Sequence, residues 1–194
     1  MTPHFHLKII SISDKAYKRQ LLVTPKDVFT LQHFLKDLLK RNVMIINTNI
    51  GVDFYYRSEV SHDDLIVSAF LLLVTTKGRK RNDFIVRTMN SELEIAEQTK
   101  CFFNRIINMP LLFKSYSRSM LFQIENNYEA HKELFNELFL VWQKELLESS
   151  ENGPILFKVL PFIRAVQQIF ILHNHSYPAF QKLLEDGLSN QHIN

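Results

Sequence analysis

Between Pro110 and Gly153-Pro154 lies a stretch, residues 111 to 152, without glycine or proline. Its apolar positions recur in steps of three and four: Leu121, Ile124, Tyr128, Phe135, Leu138, Trp142 and Leu146, with His131 on the same line. Such steps gather residues on one face of an α-helix. Glu125, Glu129, Glu133 and Glu137, each four residues on, form a solvated stripe on another face. The spacing predicts one long amphipathic helix over 119–149. With about 100° of rotation per residue, Phe122, Leu140 and Leu147 fall inside the glutamate arc and off the apolar seam. An apolar row rimmed by carboxylates marks an interaction site. The competing expectation is that residues 155 to 184 fold back over Leu140 and Leu147. His131, a lone histidine on the seam, reads as a core residue bonded through one ring nitrogen.

Earlier in the chain the period is shorter. Residues 5 to 12 alternate and carry β-branched side chains, and 17 to 23 do the same after a turn at Ser13-Asp14-Lys15, so 5–23 is expected to be a hairpin. Thr24-Pro25-Lys26-Asp27 has the form of a helix start, with Thr24 as cap and Pro25 at the first position. That helix carries Val28, Leu31, Phe34, Leu35, Leu38 and Leu39 at helical spacing and is expected to end near Asn42. Residues 43–46 and 52–56 predict a second hairpin around Asn47-Thr48-Asn49. The apolar run 65–74 fits a helix over 62–75 or a buried strand, between which periodicity does not decide. A strand over 84–86 follows, then a helix capped by Asn90 or Ser91 and running to about 108. After the break at 153–154, residues 155–173 are helical in pattern, with a restart at Pro161. A short helix opens at Tyr177-Pro178.

Strands before about residue 60 and helices after about 90 predict an α+β fold: a small N-terminal antiparallel sheet of hairpins packed on helices, and a helical C-terminal half. The length of 194 residues fits a single domain, strand-rich over 1–60 and helix-rich over 90–187. Sixteen phenylalanines supply ample surface to bury, and four glycines leave little room for glycine-rich phosphate loops.

The net charge is +3, and the basic excess sits early, with nine Lys or Arg against five Asp or Glu in residues 1–60. A single cysteine, Cys101, permits neither an internal disulfide nor a cysteine zinc site. No secretory pattern opens the sequence, and the longest apolar run falls short of a bilayer span. The expectation is a cytoplasmic protein without membrane insertion and without a cofactor.

Candidate chemistry is sparse. His4-His6 and His173-His175 are short pairs without the third and fourth ligands that a metal requires. His33, His62 and Asp63 have the residue types of a metal-dependent hydrolase, although Asp63 and Asp64 also suit a helix N-terminus. No nucleophile elbow is present. The densest cationic feature is Lys77, Arg79, Lys80 and Arg81, which would suit phosphate contacts in a nucleic-acid-binding protein. Lacking acid–base or nucleophilic constellations, the sequence favours a non-enzymatic protein-interaction or adaptor subunit of a larger assembly. Phe122, Leu140 and Leu147 would then be its partner-binding residues. Nucleic-acid binding and metal-dependent hydrolysis are the alternatives.

Overall fold

The computed structural model describes residues 7–16, 21–75, 78–150, 161, 162, 164–166, 168 and 169, with side chains at all of these but 106, 107, 143, 144 and 146–150. The chain divides into two compact units, one of residues 1–95 with 129–135 and one of 96–128 with 136–194.

The first unit is built on a four-stranded antiparallel sheet in the order β2-β3-β1-β4. Its elements follow as β1 (Leu7–Asp14), α1 (Pro25–Leu39), β2 (Val43–Asn47), β3 (Val52–Arg57), α2 (Asp63–Thr75) and β4 (Phe84–Met89). β1 is antiparallel to both β3 and β4, and β2 is antiparallel to β3. Strands β1 and β2 are therefore parallel with β3 between them, and β3 and β4 are parallel with β1 between them. This β-α-β-β-α-β order is the split β-α-β topology of ferredoxin-like sheets.

The topology corrects the expected hairpin over 5–23. Both hydrogen-bonding edges of β1 are taken by β3 and β4, so nothing is left for residues 21–23 to pair with, and residues 17–20 lie outside the described residues. Leu22 and Val23 instead pack into the core beside Ile10, Ile12, Leu31, Leu35, Phe54, Tyr56, Ile66, Phe70 and Phe84. The hairpin β2–β3 forms as expected. Its turn has Gly51 so close to β1 that a Cβ there would lie 2.5 Å from the Ile12 carbonyl oxygen. The run 65–74 is helix, with Ile66, Phe70 and Val74 buried on one side. The second face of the sheet is buried too, through Leu7, Ile9, Met44, Ile46, Tyr55 and Met89.

Local signals set the helix ends. The Thr24 hydroxyl accepts from the Asp27 N–H, and the Asp27 carboxylate accepts from the Thr24 N–H, a complete capping box. α1 stops at Leu39, earlier than expected, because Lys40 turns left-handed at φ 53° to reach β2. Helix α3 (Glu92–Ile107) starts at Ser91, whose N–H and hydroxyl donate to Glu94, while the Glu94 N–H donates to the Ser91 hydroxyl. The Asn90 N–H also donates to the Glu94 carboxylate; that bond foremost, with the two Ser91 donors, holds the carboxyl below its usual range.

Helix α4 runs over Pro110–Ser150. It begins nine residues before the expected start at 119, since Pro110 serves as a first helical residue rather than a break. It is not continuous either: His131 leaves helical geometry at φ −131° and ψ 24°. The second unit has an aromatic core. Phe103 meets Trp142 edge-on at 5.6 Å between ring centres, Trp142 meets Phe139 at 5.1 Å, and Phe162 lies 5.8 Å from Trp142. Residues 161, 162, 164–166, 168 and 169 are helical, in keeping with a restart at Pro161.

Candidate functional site

Phe122 and Leu140 both stand out from α4, 66% and 57% exposed. They are eighteen residues apart, on either side of the break at His131. Around Phe122 the exposed positions are Arg118, Glu125, Asn126 and Glu129, so the ring rises from a polar surface. Leu111, 82% exposed, stands three turns before it. The Leu147 side chain lies outside the described residues. The glutamate stripe is solvated at Glu125, Glu129 and Glu133, whereas Glu137 is half-buried. The opposite seam is internal: Ile124, Tyr128, Phe135, Leu138 and Trp142 are all buried. Phe135 and Trp142 are therefore core residues, and Phe122 and Leu140 are not.

The basic loop is divided in its use. Arg79 donates to Asp14 at 2.9 Å, lies 3.5 Å from the Asp83 carboxylate, and stacks 4.6 Å from the centre of the Phe84 ring. Its guanidinium closes the end of the sheet where β1 finishes and β4 begins. Asp83 also accepts from the Lys80 N–H, and that bond, with the charge of Arg79, holds its carboxyl below the usual range. Lys80 and Arg81 are exposed, and Lys77 lies outside the described residues.

The opposite end of the sheet holds a polar network that the sequence did not single out. The Tyr56 hydroxyl donates to Asp63 at 2.8 Å and accepts from the His62 N–H at 3.0 Å. The Asn90 amide donates to the other Asp63 oxygen at 2.8 Å, and the Lys8 ammonium donates to the Asn90 carbonyl at 3.1 Å. Asp63 thus ties the end of β3 to the loop after β4, from the first turn of α2. Burial, reinforced by Asp63, pushes the Tyr56 phenol up to about 12, so it is no base at neutral pH. Both Asp63 oxygens are committed to donors. The network fastens the fold and offers no free nucleophile. Each of its residues could be read as a cap or a strand residue; only the topology brings them together.

The histidine and acid pairs do not converge. The His33 ring faces its own helix, at the Phe29 carbonyl and ring. Among the described residues no three His, Cys, Asp or Glu side chains are grouped to hold a metal, His33, His62 and Asp63 included. His4, His6, His173 and His175 lie outside the described residues. Cys101 is exposed on α3. No helix among the described residues is long and apolar enough to cross a membrane. No family model, curated protein or solved structure matches the chain.

Proposed function

We propose that this chain is a non-enzymatic protein-interaction or adaptor subunit of a larger cytoplasmic assembly, with the outward face of α4 as its docking surface. The observation that carries the reading is the exposure of Phe122 and Leu140 on a helix that buries Ile124, Tyr128, Phe135, Leu138 and Trp142 on another face. A large ring and a leucine in water cost free energy that a partner's apolar surface would recover, about 1.5–3 kcal/mol for each side chain fully covered. The neighbours Arg118, Glu125 and Glu129 supply a charged rim of both signs. The ferredoxin-like topology supports no activity by itself, since that arrangement hosts many unrelated functions.

The test is the double variant Phe122→Asp with Leu140→Asp, used as bait in the native host at moderate salt. The expected outcome is an unchanged unfolding midpoint with loss of the proteins that the unaltered chain retains. Retention of the same proteins by a folded variant removes this face as the docking surface. Gross unfolding would show that the two side chains are internal in solution, which also removes it.

A further inference from the structure

Helix α4 breaks where its sequence gives no reason to break. Kinks ordinarily follow proline, glycine or a group inserted into the hydrogen-bond ladder, and residues 111 to 152 contain neither glycine nor proline. The cause must then lie in what holds the turn from outside. Two ties do so, both within the sheet-bearing unit. Arg57 of β3 pairs with Glu133. Gln32 of α1 meets the His131 ring, with 2.7 Å between its amide nitrogen and Nε2. The histidine is only 7% exposed, and its Nδ1 has no partner.

This geometry is specific to the neutral ring. With the Gln32 amide donating, Nε2 is the acceptor and the single ring proton sits on Nδ1. A second proton would make Nε2 a donor facing a donor at 2.7 Å. It would also place a full charge on a buried ring whose Nδ1–H has nothing to bond. Turning the Gln32 amide over would restore one contact and leave the charge buried. Among the charged groups around the ring, Lys36, facing it from α1, opposes a cation as well. From β3 the nearest cation is Arg57, already opposed by Glu133. Lys132 and Glu129 flank the ring in sequence on α4. Burial first, and Lys36 second, hold the His131 imidazole below its ordinary 6.5.

We infer that His131 is a proton-sensitive latch: the neutral ring holds residues 129–135 of α4 against α1, and protonation releases them and with them the break in the helix. The sign follows from linkage. The released ring binds its proton more readily than the latched one, so the latch is complete above the ordinary histidine range. It weakens as pH falls through 6.5 and toward the depressed value in the fold. Each unit between the two affinities is worth about tenfold in the opening equilibrium.

The experiment is hydrogen exchange of the amides of residues 129–135 in the full chain, across about pH 8 to 5, where histidine changes charge, with correction for the intrinsic exchange rate. The expected result is a loss of protection at acid pH, following the titration of the His131 ring seen by NMR. In His131→Phe, which stays neutral, protection should persist. In Lys36→Gln, which removes an exposed opposing cation, the ring should titrate at higher pH and release should move with it. A merely structural histidine would shift its titration without moving the loss of protection. Equal acid loss of protection in His131→Phe, or an unmoved titration in Lys36→Gln, overturns the latch. Should His131→Phe fail to fold, Lys36→Gln decides alone.

Discussion

Asp53 is at odds with its surroundings. It sits in β3 on the second face of the sheet, opposite Ser11, and accepts a hydrogen bond from the Ser11 hydroxyl. Burial pushes its carboxyl up from 3.8 to about 6, with Ser11 opposing only in part. Between those values the folded chain binds more protons than the unfolded one, so this group makes stability fall as pH rises from 3.8 to 6. Asp53→Asn keeps an acceptor for Ser11 and removes the charge. It is expected to raise the unfolding midpoint at pH 7 and to leave it nearly unchanged near pH 3.5, as thermal melts at the two pH values would record. No sequence pattern announces this, because an acid in a strand reads as a solvent-facing position. Asp53 is itself half-buried, and its shielding comes from the second face of the sheet being covered around it. His131 is the contrasting case: its place on an apolar seam identified a core histidine bonded through one nitrogen, and the structure bears that out.

Among the elements, signals written within a few residues were legible, and those that depend on distant partners were not. Thr24 with Asp27 marks the start of α1; for α3 the sequence offers Asn90 or Ser91 as cap, and the structure uses Ser91 with Glu94. The partners of β1 lie some forty to fifty and seventy to eighty residues along the chain, and the pattern of the adjacent segment suggests a pairing that residues 21–23 do not make. The break in α4 has no local breaker and was equally invisible. The end of α1 yields a prediction. Lys40 is a non-glycine residue at φ 53°, and the left-handed region costs such residues about 1–2 kcal/mol. Lys40→Gly is expected to gain part of that, about 1 kcal/mol after the added freedom of the unfolded chain. Denaturant unfolding would measure the gain, and a loss of stability would show that the Lys40 side chain contributes more than its backbone costs.

Among the described residues most aromatic side chains are buried or half-buried, while Phe29, Phe34 and Phe122 are exposed. Trp142 lies against Phe103, Phe139 and Phe162 in the second unit. Trp142→Ala should cost about 3–5 kcal/mol, the usual penalty for emptying so large a buried site. A midpoint equal to that of the unaltered chain would mean that this seam is not a core in solution. The α+β class followed from strands preceding helices, and the interleaved strand order did not, because antiparallel hairpins alone can satisfy the same pattern of apolar residues. Function lies further from the sequence still. The Arg79 ion pairs and the Asp63 network account for two of the chain's more conspicuous polar clusters as fastenings of the sheet. Like Leu72, Leu93 and Leu111, Phe122 and Leu140 are large apolar side chains left exposed among the described residues.

Whether a protein partner covers them is tested most directly by a photoreactive phenylalanine analogue placed at Phe122, and separately at Leu140, in the native host. The same analogue at Ser68, exposed on α2, serves as the control position. Docking along α4 predicts that irradiation yields the same discrete covalent adduct from positions 122 and 140 and none from position 68. Adducts absent from both α4 positions, or equal at all three, would contradict it.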